Sequence, residues 1–405
     1  PLRDSSDNWT NGEEARIDLS PIPNGADVRF SFNATDEDNG VFYFGDAHIG
    51  SDSRPDLDLD TRSPEFNNFW KQTSVSASSL LIEDIHITDA NEKYIEVVSS
   101  GFITITDLNI SVHNMTPEAD WVIVFDKGTV QLKDSLIDGY QGLSGFIYSD
   151  FQGTNDWPMI EIENVTMNAD QDEIGTGIMA RSMRYSISET TIENVTTGID
   201  SSHCVFNIAD LTIDATEFGA DLHLPRPYYE AIGISIENLD ITGELKYSGL
   251  RIRGNTDNRT TITVSNLNIR SQYNGSHERG DGYGSMMLDV TSTKRTDISL
   301  RNPRMDSGPG HGVSVINWPD NGAIIMSEGT ISGMKIDGIW MDDSATIDIL
   351  SGDISTCDGW GLYAYTDSKI NIEGDPILGR SNIRANELGG LRIREGCELE
   401  ISETN

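Results

Sequence analysis

The stretch Gly308-Pro309-Gly310-His311-Gly312-Val313-Ser314-Val315 sets one imidazole in a glycine-rich turn that leads into a strand. A histidine so placed can carry a proton or orient a carboxylate, provided that acids stand beside it. The segment before it supplies Asp281, in Gly280-Asp281-Gly282. Further on, Asp342, Asp343 and Asp367, together with Arg392, are the richest set of acids near an arginine. Clustered carboxylates can hold calcium while an arginine removes a proton, which is the equipment of a lyase. An inverting glycosidase needs instead two carboxyls about 6.5 to 9.5 Å apart. His311, Asp281, Asp342, Asp343, Asp367 and Arg392 are thus the catalytic candidates, with no assigned role. Asp342, Asp343 and Asp367 are also the candidate ligands of a calcium or other cation; the chain requires no cofactor on this reading.

A second kind of chemistry is binding. Trp340, Tyr363 and Tyr365 recur in short alternating strands beside Arg251, Arg253, Arg392 and Arg394. Flat rings pack against sugar faces, and Asp and Arg side chains take the hydroxyls. Large aromatics are seldom left in water unless they meet a partner. These residues are the candidate glycan-binding set, expected to form an exposed patch.

The elements that position them are short strands in a repeat. From about residue 94 a unit returns: a turn, a glycine, an alternating strand, a second turn, and a strand such as Ile187 to Val195, Ile234 to Ile241 or Ile262 to Ile269. Gly145, Gly177, Gly198, Gly219, Gly249, Gly284, Gly312, Gly338, Gly361 and Gly390 mark the turns, roughly 21 to 35 residues apart. The period within each strand is two, and Thr, Ile and Val dominate, so helical solenoids are excluded. Propeller blades of about 40 to 45 residues do not fit the spacing. One coil cannot bury its apolar side alone, whereas stacked coils share a core. Aligning the strands on their turn glycines sends Leu250, Ile252, Ile339, Met341, Leu362, Ala364, Leu391 and Ile393 inward. Arg251, Arg253, Trp340, Tyr363, Tyr365, Arg392 and Arg394 then point outward on rungs about 4.8 Å apart. Residues 1–75 lack the period and carry Pro21, Pro23, Pro55 and Pro64; they are expected to be an irregular N-terminal cap or attachment region. Residues 76–405 are expected to be the repeat body.

These coils, from Ser79 to Ile401, resemble the right-handed parallel β-helices of the pectate-lyase-like superfamily, which includes polysaccharide lyases, polygalacturonases and tailspikes. The resemblance implies an all-β, right-handed parallel β-helix with three short strands per coil, about 12 coils deep. The segment around His311 is similar to the histidine motif of polygalacturonases, which implies hydrolase chemistry. The chain departs from that pattern, however. Asp281 stands alone where paired aspartates belong, Asn255-Thr256-Asp257 follows its strand instead of preceding it, and Gly390-Leu391-Arg392-Ile393-Arg394 lies several coils beyond His311.

Composition narrows the setting. Across 405 residues, 66 acids against 28 bases give a formal charge of -38. The excess runs along the whole chain, with Arg over Lys and Asp over Glu, a balance suited to molar salt. There the Debye length is about 3 Å and the self-repulsion is screened. Nucleic acid and anionic lipid need a basic footprint that is missing, and no apolar run reaches membrane-spanning length. Neither nucleic-acid binding nor membrane insertion is therefore expected. Cys204, Cys357 and Cys397 have no metal-ligand spacing and read as small core residues. Sequons at Asn8, Asn33, Asn109, Asn114, Asn164, Asn194, Asn258 and Asn274 fit an extracellular glycoprotein. The expectation is a spike, fibre or adhesin of a haloarchaeon or its virus, at the cell surface or on the virion. Its expected partners are cell-surface polysaccharide or glycoprotein and, in a homotrimer or a larger surface or virion assembly, further subunits. The alternatives are a polysaccharide lyase or glycoside hydrolase on the same face, or a purely structural subunit.

Overall fold

The computed structural model describes residues 41–45, 72–76, 79–83, 86–88, 95–97, 102–106, 108–111, 121–125, 128–139, 144–150, 158–169, 174–225, 232–256, 259–271, 283–292, 294–319, 322–342, 344–374 and 381–403. Every element among them is a β-strand and every pairing is parallel, winding a right-handed β-helix. Each coil visits three faces in turn. Face A carries Ser248–Thr256, Gly284–Ser292, His311–Asn317, Ile339–Met341, Trp360–Ala364 and Gly389–Ile393 in register. Face B carries Thr260–Ser265, Thr296–Arg301, Ala323–Ser327, Thr346–Ile349, Lys369–Gly374 and Glu398–Glu403. Face C carries Asn268–Ser271, Arg304–Asp306, Gly329–Ser332, Gly352–Ser355 and Ser381–Arg384. In the tightest coils all three faces are drawn from one continuous strand, Arg184–Ser202 and then Val205–His223. The parallel ladder also takes in Val41–Gly45 and Gln72–Ser76, which pair with each other near the N-terminus.

Alternation explains the core. On face B one inward column runs Ile187, Ile208, Ile236, Val264, Leu300, Met326, Ile349 and Ile372, each in register with the next. All are buried, and each such side chain contributes about 1.5 to 3 kcal/mol on leaving water. The face A positions Leu250, Ile252, Ile339, Met341, Leu362 and Ala364 are fully buried, as their parity in the strand requires. Leu391 and Ile393, on the last described coil, are half-buried against the same core.

Two corners have distinct chemistry. Between faces B and C the chain turns through a residue of positive φ: Asp134, Asn164, Glu189, Asp210, Asn238, Asn266, Asn302 and Glu328 lie between 47° and 58°. Asn and Asp are the side chains that tolerate this left-handed region. They also bond along the axis: Asn238 Nδ2 donates to Asp210 Oδ1 at 2.7 Å, Asn266 to Asn238 at 2.8 Å, and Asn302 to Asn266 at 2.9 Å. Between faces C and A the repeated glycine serves space and not φ. A Cβ on Gly219 would lie 2.5 Å from both the Gly249 carbonyl oxygen and Ile241 Cγ2, and Gly177, Gly198, Gly312, Gly338 and Gly361 are crowded in the same way. The turn glycines thus stack on one another against the isoleucines of face C.

Candidate functional site

Face A brings the aromatic candidates onto one flank. Ser314 pairs with Trp340, Trp340 with Tyr363, and Tyr363 with Arg392, forming one column along the axis. Tyr365 and Arg394 follow two residues later, held to the preceding rungs through Tyr365 N–H to the Met341 carbonyl at 2.8 Å and Arg394 N–H to the Ala364 carbonyl at 3.2 Å.

Exposure differs from the sequence-based expectation of an open patch. Trp340 is 5 % exposed and Tyr363 3 %, whereas Tyr365 is 43 % exposed. Trp340 stacks on His311, with centroids 5.1 Å apart and planes 14° apart. Tyr363 lies beneath two guanidinium groups, Arg392 at 5.0 Å and Arg394 at 5.7 Å, and meets Tyr365 edge-on at 6.1 Å. Arg394 also covers the Tyr365 ring at 4.3 Å, and Arg392 covers Trp360 at 5.6 Å. Strand alternation assigns a side chain to the outer face, but neighbouring rungs then bury it. What remains open to a ligand is Tyr365 with Arg394 and the half-buried Arg392 and Trp360.

Arg251 and Arg253 share face A but sit apart from this group, with the rungs of Met287 and Ser314 between Arg251 and Trp340. Arg253 Nε donates to Asp221 Oδ1 at 2.8 Å. Arg251 bridges Asp221 and Asp289, 3.8 Å from each. Asp289 in turn accepts from Asn317 Nδ2 at 2.7 Å. Burial, the largest influence, holds the Asp221 carboxyl above its ordinary range despite Arg253 and Arg251.

His311 begins its strand and is fully buried, with Nδ1 3.4 Å from Asp337 Oδ2. Asp337, equally buried, accepts the Trp360 backbone N–H at 2.7 Å on its other oxygen. No solvent reaches this imidazole, so in the described arrangement it cannot exchange protons with a bound polymer. Asp337 and Trp360 were not candidates from the sequence, although they stand one residue before Gly338 and Gly361 as His311 stands before Gly312.

Of the acids set out for catalysis or calcium, Asp342 and Asp367 are described. Asp342 is half-buried, with its N–H donating to the Val315 carbonyl at 2.9 Å. Asp367 is exposed in a turn of φ 36°. Asp281 and Asp343 lie outside the described residues. Among the described residues no group of three or more His, Cys, Asp or Glu is arranged to hold a metal ion. Burial pushes the Cys204 thiol up to about 12 and the Cys357 thiol up to about 11, so neither is a thiolate nucleophile near neutrality. Of the sequons, Asn164 and Asn194 are exposed on positive-φ turns. Asn164 Nδ2 donates to Asp134 Oδ1 at 2.6 Å, and Asn194 Nδ2 to Asn168 Oδ1 at 2.9 Å. Asn109 lies in the strand Asn109–Ser111. Asn8, Asn33, Asn114, Asn258 and Asn274 lie outside the described residues.

Fold and site together define a right-handed parallel β-helix with a ring-and-guanidinium stack on the last described coils of one face. Comparison with protein-family models, with curated proteins and with solved structures finds no match for the chain.

Proposed function

We propose that this chain is an extracellular spike, fibre or adhesin that binds a surface glycan on face A at Tyr365, Arg392 and Arg394. Trp340, Tyr363 and Trp360 are the packed layer that holds those side chains in place. The observation that carries the reading is Tyr365, 43 % exposed at the rim of a stack in which Trp340 and Tyr363 are covered. A tyrosine fixed by a guanidinium at 4.3 Å offers a preordered edge and face to a sugar ring, with little further entropy to lose on binding. A stiff solenoid suits projection from a surface, and such a platform needs no closing lid. The charge of -38 supports a high-salt exterior such as that of a haloarchaeon or its virus. A pectate-lyase-like ancestry, a bound cation such as calcium at the surface acids, and assembly into a homotrimer or larger array belong to the same proposal.

The test is a glycan array probed in molar salt with the wild-type chain and with Tyr365→Ala. Losing one ring contact of about 0.5 to 1.5 kcal/mol should weaken binding about two- to tenfold. Equal binding by the two proteins would remove this part of face A as the site.

A further inference from the structure

Several arginines elsewhere on the described surface are matched by acids. Arg253, Arg270, Arg295, Arg301 and Arg384 each have a carboxylate oxygen within 2.7 to 3.3 Å, and Arg251 has two at 3.8 Å. Arg392 and Arg394 have no carboxylate partner among the described residues; their guanidinium groups lie over Trp360, Tyr363 and Tyr365. Arg181, Arg184, Arg259 and Arg304 also have no carboxylate partner among the described residues, but Arg392 and Arg394 stand two apart on one face with both guanidinium groups laid on aromatic rings.

Stacking uses the flat face of a guanidinium and leaves its N–H edge available for bonds in the plane. That edge matches the paired oxygens of a carboxylate or sulfate, and bonds of this kind are about twice as strong as neutral ones. The two residues stand two apart along the chain, so their backbones are about 6.6 Å apart if extended. Both can then reach one anionic substituent or two on neighbouring sugars. The aromatic layer fixes their direction, and the half-buried position of Arg392 lowers the competition from water.

We infer that this part of face A selects an anionic glycan, one whose carboxylate or sulfate groups are gripped by Arg392 and Arg394 while a sugar ring meets Tyr365. The inference rests on the glycan-binding reading and names its ligand class. Molar salt removes the long-range repulsion of the -38 chain while leaving hydrogen-bonded contacts in place.

The experiment measures binding of the full chain, in molar salt, to surfaces carrying dextran, hyaluronate or dextran sulfate. These present no anion, carboxylate alone and sulfate alone. At least one polyanion should bind about tenfold or more tighter than dextran, and whichever does so identifies the anion. The double substitution Arg392→Gln with Arg394→Gln should abolish that preference. Arg392→Lys with Arg394→Lys should retain only part of it, because charge without the planar fork is a weaker match. Thermal unfolding of each variant checks that the coil is intact, and Tyr365→Ala should weaken all polymers alike. Equal binding to all three surfaces, or a preference that survives the Gln pair, overturns the anionic selection but leaves the glycan reading standing. No binding to any of the three overturns the anionic selection, and the glycan reading is then decided by the array.

Discussion

Asp221 stands on face A between two arginines, yet its burial outweighs them and its carboxyl is held above the ordinary range. For an acid raised in the folded state, the unfolded chain releases its proton first as pH climbs. The pull toward the unfolded state therefore grows between the two values, and this residue's contribution to stability is lost as pH rises through the folded one. Asp221→Asn removes the titration but keeps an acceptor for Arg253. The stability difference between wild type and Asp221→Asn should accordingly shift against the wild type from about pH 3 upward and level off once the folded carboxyl has ionised. Denaturant midpoints across that range check it; a difference that moves the opposite way would mean that the two arginines dominate the site. The same residue ties Arg251 and Arg253, both set out for glycan binding, into a network with Asp221 and Asp289.

At the level of elements, the turn glycines are the feature on which the stacking of face A depends. A Cβ on Gly338 would clash with the Gly361 carbonyl oxygen, 2.5 Å away, and with Ile354. Gly338→Ala should therefore destabilise the fold by about 1 to 3 kcal/mol, the cost of overpacking. Gly233→Ala on face B, where nothing lies within 4 Å, should be close to neutral. Chemical denaturation in molar salt separates the two; equal effects would deny the glycine column its role. This spacing is also what made the fold legible from the chain alone. Aligning residues on their glycines places Trp340, Tyr363 and Arg392 in one column, and the registers agree. The same alignment puts Asp337 beside His311 and Asp221 beside Arg251, pairs that were present in the sequence but not drawn from it. Burial was not legible. Parity in a strand tells which face a side chain takes, whereas the covering of Trp340 and Tyr363 depends on how His311, Arg392 and Arg394 pack over them.

Over the whole molecule, the balance between attraction and repulsion decides the conditions in which the helix persists. Ion pairs on the described surface join one coil to the next: Lys133 to Glu163, Arg270 to Asp240, Arg301 to Glu328 and Arg384 to Asp353. Each is worth about 0 to 1 kcal/mol and weakens as salt is added. Against them stands an acidic excess of 66 over 28, most of which has no basic partner to neutralise it. Stacking brings these charges onto rungs about 4.8 Å apart, well inside the Debye length of about 10 Å at 0.1 M salt. At molar salt that length falls to about 3 Å, shorter than the rung spacing, and the repulsion between coils largely disappears. Because unpaired acids outnumber paired ones, screening should remove more repulsion than attraction. The denaturation midpoint, followed by circular dichroism of the strand signal, should therefore climb steadily from about 0.05 M to 2 M NaCl. Since a solenoid is held mainly by contacts between neighbouring coils, the low-salt transition should also be broader, with coils loosening in groups. A midpoint that falls as salt is added would mean that the ion pairs between coils outweigh the acidic excess, and the high-salt setting proposed for this chain would lose its physical basis.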